Sequence, residues 1–129
     1  ATISPWRMEV VTTPGGATLI NDAYNANPTS MSAALTALAA LPARRKVAVL
    51  GEMAELGVDA EALHHEMVAQ AGSLGIEVVA VGTDAYGMAG VQPTDAVAAL
   101  ASLGDGEAAL VKGSRVAGLE QIVSQVLAG

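Results

Sequence analysis

The chain contains no cysteine, few basic residues and no long apolar run. Without cysteine it cannot form a disulfide, a cysteine zinc site or a thiolate nucleophile. Six basic residues against thirteen acidic ones give a net charge of −7, which would repel a phosphate backbone, so nucleic acid is excluded as a partner. No window approaches the roughly 18 to 20 apolar residues that a membrane span needs.

The chain does have enough apolar content for a core. Of its 129 residues 52% are hydrophobic, which at this length predicts one domain. Residues 1–10 contain no initiator Met, no basic segment and no apolar segment of a signal peptide. We therefore expect a piece of a longer protein, in which residues 1–7 are a linker from a preceding domain.

Strands and helices alternate along the sequence. A hairpin is predicted around Pro14, Gly15 and Gly16, with its strands within 6–13 and 17–22. Nearly continuous apolar runs predict parallel strands that are covered on both faces, at 46–51, 76–82 and 108–113. Apolar stripes predict helices within 28–41, 59–75, 93–103 and 116–127. The predicted fold is α/β, a Rossmann-like, mostly parallel sheet with helices on both faces and an N-terminal hairpin.

The loop "NDAYNANP" (21–28) joins a predicted strand to a predicted helix. In open α/β sheets, ligands bind outside the carboxyl ends of the strands, where this loop belongs. Asn27 suits the helix N-cap. Turn and cap chemistry is one interpretation of Asp22, Tyr24 and Asn25. The other is a ligand site, in which Asp22 suits sugar hydroxyls and the amides suit a base or an acyl group.

Two further loops follow strands that should end at the same edge. Glu52 comes after the strand at 46–51, and Lys112, Ser114 and Arg115 surround Gly113 at the end of the last predicted strand. One interpretation of the second loop is a turn with a serine cap and two solvated cations. The other is an anion site, where two of the six basic residues and a hydroxyl hold a carboxylate.

Common catalytic motifs are absent from the sequence. There is no G-x-x-x-x-G-K-[ST], no G-x-G-x-x-G and no G-x-S-x-G, so this domain alone should not activate a nucleoside triphosphate in the P-loop manner. The zinc motif H-E-x-x-H fails because its second histidine position is Ala69. No metal site is predicted, and His64 and His65 are predicted to be solvated residues on a helix surface.

Several segments resemble a known family over nearly the whole chain. "WRMEV", "NDAYNANPTSMSAAL", "KVAVLGEMAELG" and "VKGSR", in this order, are similar to the C-terminal domain of Mur ligases, and most to the branch that adds D-alanyl-D-alanine. The resemblance implies that this domain follows two others, a UDP-sugar domain and a central ATPase domain. The central domain would provide most of the contacts to ATP and Mg²⁺. This C-terminal domain would close over ATP and position the dipeptide, but would be inactive alone.

The resemblance also implies the reaction and the residues involved. The full-length enzyme would use ATP to join D-alanyl-D-alanine to UDP-N-acetylmuramoyl-tripeptide, in cytoplasmic peptidoglycan precursor synthesis. No residue of this domain would suffice for catalysis. The residues implied for ATP, with Asp22 on the ribose, are Arg7, Asp22, Tyr24, Asn25 and Asn27. Those implied for the substrate are Glu52, Lys112, Ser114 and Arg115. The alternatives are a polyglutamate-adding Mur-like ligase and a non-catalytic nucleotide-binding module.

Overall fold

A computed structural model describes residues 8–23, 26–114 and 118–129. The strands in these ranges are β1 (Glu9–Thr12), β2 (Thr18–Asp22), β3 (Arg45–Leu50), β4 (Glu77–Ala80) and β5 (Glu107–Lys112). The α-helices are α1 (Pro28–Ala40), α2 (Ala60–Ser73), α3 (Pro93–Ala101) and α4 (Glu120–Ala128), and a 3₁₀ turn at Gly57–Asp59 leads into α2.

The strands form a mixed sheet in the order β1-β2-β5-β3-β4. β1 and β2 make the predicted antiparallel hairpin, and every other neighbouring pair is parallel. The α/β fold class predicted from the sequence is therefore confirmed. Because the parallel strands run in one direction, their carboxyl ends share one edge of the sheet.

Helices cover both faces of the sheet, as the continuous apolar strands predicted. Alternate residues of β3 point to opposite faces, since side chains alternate along a strand. Leu50 packs on the α1 and α2 side with Leu35 and Met67. Val49 packs on the α3 and α4 side with Leu100. Among the described helices, none is both long and apolar enough to cross a membrane.

Local signals explain where α1 begins. Asn27 Oδ1 accepts a hydrogen bond from the Ser30 amide at 2.8 Å, and the Asn27 amide donates to Ser30 Oγ at 3.1 Å. This capping box satisfies two backbone donors that the first turn leaves free. Pro28 occupies the first helical position, where its missing N–H costs nothing. The predicted cap is confirmed, and it gives the Asn27 side chain a structural role.

Candidate functional site

Three strands bring their following loops together at the carboxyl edge of the sheet. The backbone register places Asp22 of β2 beside Lys112 of β5, and Lys112 beside Leu50 of β3. Asp22, Glu52, Lys112 and Ser114 therefore lie on adjacent strands or in the loops that follow them. The predicted residues Arg7, Tyr24, Asn25 and Arg115 lie outside the described residues.

Asp22 and Lys112 form a buried ion pair at this edge. Lys112 Nζ donates to Asp22 Oδ2 at 2.7 Å, and the two side chains are 1% and 11% exposed. A buried charge is tolerated when an opposite charge and hydrogen bonds compensate for its lost hydration. The pair joins a residue that the resemblance implied for ATP with one that it implied for the substrate.

The loop after β3 is held against the loop after β5 by backbone hydrogen bonds. The Gly51 amide donates to the Lys112 carbonyl at 2.9 Å, and the Ser114 amide donates to the Glu52 carbonyl at 3.0 Å. These bonds extend the pairing of β3 and β5 past the strand ends. The backbone of Glu52 is thereby fixed while the residue stays exposed to solvent.

His64 is buried, with 1% exposure, so the prediction of a solvated surface residue is wrong for it. Its Nε2 accepts from the Met53 amide at 2.9 Å, and its Nδ1 lies 2.6 Å from the Ala60 carbonyl oxygen. Because an amide only donates and a carbonyl only accepts, the ring is neutral with its proton on Nδ1. These two bonds satisfy both nitrogens inside the protein. His65, one position on, is exposed as predicted.

Tyr86 is a buried residue beside the candidate site that the sequence analysis missed. It is 2% exposed, and its hydroxyl donates to the Gly51 carbonyl at 2.7 Å. Its ring meets His64 edge-on, with ring centroids 4.7 Å apart and an interplanar angle of 78°. Burial, with a smaller effect of the Glu52 charge, raises the pKa of Tyr86 well above its ordinary value. The only sequence signal was a tyrosine in a glycine-rich loop after β4.

The raised pKa of Tyr86 predicts a loss of stability at alkaline pH. The unfolded chain ionises this tyrosine near pH 10 while the folded chain does not. The stabilisation from Tyr86 is therefore complete below about pH 10 and falls above it, by about 1.4 kcal/mol per pH unit at most. Urea unfolding of the wild type and Tyr86→Phe at several pH values measures this. A constant difference between the two proteins from about pH 8 to pH 11 would contradict the prediction.

Ser114 carries an unsatisfied hydroxyl at the site. The residue is 7% exposed, and its Oγ has no hydrogen-bond partner. Within the described ranges, the other buried side-chain atom in this state is Asn21 Oδ1 on β2. A buried polar group without a partner costs about 1–3 kcal/mol, so it is usually explained by a ligand or a water. Ser114 Oγ is thus a candidate ligand contact.

A cavity of about 410 Å³ lies at the opposite edge of the sheet. It is bordered by the β1–β2 turn and by the C-terminal ends of α3 and α4, including Thr13, Ala101 and Gln125. No charged side chain is among its lining residues. It lies far from the ion pair and the loops of the candidate site, so we do not assign it to that site.

Comparison with known proteins identifies the family. The family model described as "Mur ligase, glutamate ligase domain" matches residues 6–128. The chain belongs to the Mur ligase family. It is a Mur ligase C-terminal domain, and the resemblance seen in its sequence is confirmed.

Curated relatives of this Mur ligase domain are dipeptide-adding enzymes. The "UDP-N-acetylmuramoyl-tripeptide--D-alanyl-D-alanine ligase" of Mycobacterium tuberculosis (strain CDC 1551 / Oshkosh) is 38% identical over 98% of this chain and 32% of its own length. The enzyme of the same name from Escherichia coli (strain K12) is 38% identical over 81% of this chain and 26% of its own length. The chain thus spans about a third or less of these relatives.

Solved structures share the fold of this Mur ligase domain. A crystal structure of MurF from Acinetobacter baumannii matches with a TM-score of 0.82 at 27% identity, over 100% of this chain and 31% of that one. MurF ligase from Thermotoga maritima, solved in complex with ADP, matches with a TM-score of 0.84 at 24% identity, over 99% of this chain and 32% of that one. The second likeness is evidence for the fold alone.

Proposed function

We propose that this Mur ligase domain belongs to the ATP-dependent ligase that joins D-alanyl-D-alanine to UDP-N-acetylmuramoyl-tripeptide, in cytoplasmic peptidoglycan precursor synthesis. The observation that carries the proposal is the polar edge of the sheet, where Asp22, Glu52, Lys112 and Ser114 gather in a chain whose curated relatives bear that name. The partners within the protein are its own N-terminal and central domains, and residues 1–7 are the linker to the latter.

On the nucleotide side, we assign Asp22 to the ATP ribose. A carboxylate accepts hydrogen bonds from two sugar hydroxyls well, and Asp22 keeps a small exposed fraction at the sheet edge. Arg7, Tyr24 and Asn25 complete the proposed ATP contacts. Asn27 caps α1 with its side chain, so its proposed contribution is to fix the start of the helix beside the nucleotide.

Lys112 fits the nucleotide side better than the substrate side. Its side chain is 1% exposed and its Nζ bonds to Asp22 Oδ2, so it reaches no open surface where a dipeptide carboxylate could dock. We therefore propose that Lys112 orients the Asp22 carboxylate toward the ribose. Contact with the dipeptide, as the sequence predicted, would require the ammonium to turn away from Asp22 or to bridge both groups.

On the acceptor side, we assign Glu52, Ser114 and Arg115 to D-alanyl-D-alanine. Glu52 is exposed and negative, which suits the ammonium of the incoming dipeptide. The Ser114 hydroxyl and the Arg115 guanidinium suit its carboxylate.

In the proposed reaction, the tripeptide carboxylate takes the γ-phosphoryl group of ATP, giving an acyl phosphate and ADP. The dipeptide amine, after losing a proton, attacks the acyl carbon, the amide bond forms and phosphate leaves. This domain would contribute orientation and exclusion of water rather than a reacting group. The described residues contain no group of three or more His, Cys, Asp or Glu that could hold a metal ion, so we assign Mg²⁺ to the central domain.

Acceptor selectivity of the full-length protein tests the proposal. With UDP-N-acetylmuramoyl-tripeptide, ATP and Mg²⁺, we expect phosphate release that depends on D-alanyl-D-alanine, with free D-alanine and L-glutamate much poorer. Mass spectrometry of the product checks that the dipeptide is attached, and omission of the tripeptide is the control. Preference for L-glutamate would favour the polyglutamate-adding alternative, to which the family description also applies. No turnover with any acceptor would favour a non-catalytic module.

A further inference from the structure

Two buried side chains clamp the backbone on either side of Glu52. On one side, the Tyr86 hydroxyl donates to the Gly51 carbonyl at 2.7 Å. On the other side, His64 Nε2 accepts from the Met53 amide at 2.9 Å. Tyr86 comes from the loop after β4 and His64 from α2, so two separate elements converge on one segment. We call residues 51–53 the clamped segment.

From this geometry we propose that Tyr86 and His64 are positioning residues, which hold the clamped segment so that the Glu52 carboxylate meets the acceptor amine. The inference rests on the proposed function. Neither residue reaches the surface, with 2% and 1% exposure, so neither contacts a substrate in this arrangement. They act through Glu52, which is exposed between the two fixed peptide groups.

The members of the clamp also contact each other. Tyr86 and His64 are in edge-to-face contact, a favoured arrangement for aromatic rings. The Nδ1 of His64 is tied to the Ala60 carbonyl at 2.6 Å, which fixes both the ring orientation and the tautomer. Hydrogen bonds in such a buried setting are stronger than in water. The hydroxyl of Tyr86 remains a donor, because burial and the nearby Glu52 charge disfavour its ionisation.

The backbone conformation just after the clamped segment is also consistent with a positioned loop. Glu55 has a φ of 62°, a left-handed conformation that is sterically unfavourable for residues with a Cβ. Such a conformation persists only where the surroundings determine it, and it is concentrated at functional sites. The unfavourable backbone conformation at Glu55 thus lies two residues after the clamped segment.

The clamp should affect the acceptor rather than the nucleotide. Its bonds flank Glu52, whose carbonyl also accepts from the Ser114 amide, and both of these residues are on the proposed acceptor side. Asp22, on the nucleotide side, is bonded to the side chain of Lys112, whereas the clamped segment is bonded to the Lys112 backbone carbonyl. Loosening the clamped segment should therefore weaken use of the dipeptide while leaving ATP binding intact.

Steady-state kinetics of the full-length protein test this inference. Tyr86→Phe removes one hydroxyl, and we expect it to raise the KM for D-alanyl-D-alanine about tenfold with the KM for ATP changed less than about twofold. Thr13→Val is the matched control, since it removes a buried side-chain bond to the Ala17 amide at the opposite edge. It should change neither KM.

A second pair of variants separates positioning from simple loss of packing. His64→Gln keeps an amide oxygen that can accept from the Met53 amide, whereas His64→Phe cannot. We expect His64→Gln to retain a lower KM for the dipeptide than His64→Phe. Hydrogen exchange of peptides that contain the clamped segment should be faster in Tyr86→Phe than in the wild type or in Thr13→Val.

The possible outcomes are distinguishable. A wild-type protein that does not use the dipeptide would refute the proposed function, and this inference with it. A wild-type protein that uses the dipeptide, with Tyr86→Phe leaving its KM unchanged or raising both KM values equally, would overturn the clamp alone. A selective rise in the dipeptide KM, with faster exchange in the clamped segment, supports the inference.

Discussion

Replacing Lys112 by methionine should lower the free energy of unfolding of the chain by about 3–5 kcal/mol, because the change leaves the Asp22 carboxylate without its buried counter-charge. The pair is 2.7 Å apart, and Lys112 is 1% exposed. Methionine fills a similar volume, so the loss reports mainly on the charge. Urea denaturation of the wild-type and variant chains, followed by far-UV circular dichroism, measures the effect.

The control for this variant is Lys46→Met. Lys46 lies on β3, and its Nζ donates to the Ala39 carbonyl at 2.6 Å. It is therefore also a hydrogen-bonded strand lysine, but its partner is a neutral carbonyl instead of a carboxylate. Its loss should cost about 1 kcal/mol. Asp22→Asn combined with Lys112→Met removes both charges and should be more stable than Lys112→Met alone. A loss for Lys112→Met no larger than for Lys46→Met would show that the ion pair contributes little.

The parts of the fold that local sequence encodes were predictable. The start of α1 at Pro28 follows from an Asn cap, a proline and an apolar stripe, all within one short segment. The parallel strands were predictable because the side chains of a continuous apolar run are all buried only when both faces of the sheet are covered. Because parallel strands end at a common edge of the sheet, the location of Asp22, Glu52 and Lys112 at one edge was predictable as well.

Side-chain partners were not predictable, because they depend on register and helix rotation. Asp22 and Lys112 are 90 positions apart in the sequence, and they meet only because β2 and β5 pair in one particular register. His64 and His65 look alike in the sequence. They differ because α2 turns His64 toward the Met53 amide and leaves His65 exposed. Tyr86 belongs to no recognisable sequence motif, because its proposed role depends on one hydrogen bond to the Gly51 carbonyl, which is distant in the sequence.

Replacing Asp22 by asparagine should raise the KM of the full-length protein for ATP about 10- to 100-fold, if the proposed function holds. Hydrogen bonds to a charged group contribute about 1.5–3 kcal/mol, and the neutral amide would keep only part of that with the ribose hydroxyls. Asparagine keeps the shape of the side chain and an oxygen that accepts from Lys112 Nζ, but it leaves the Lys112 ammonium without its buried counter-charge. Urea unfolding of the variant is therefore measured beside its kinetics, and both KM values are read under conditions where the variant is folded. The KM for D-alanyl-D-alanine should change little.

Two further variants make the Asp22→Asn result specific. Asp105→Asn removes an exposed carboxylate next to Gly104 and Gly106, at the far edge of the sheet, and should leave both KM values unchanged. Lys112→Gln should resemble Asp22→Asn in raising the KM for ATP, since Lys112 acts by orienting Asp22. A larger rise for the dipeptide would instead place Lys112 on the acceptor carboxylate. An unchanged KM for ATP in Asp22→Asn would contradict the assignment of Asp22 to the ribose. That assignment is the one proposed role in which the charge of Asp22 binds a ligand.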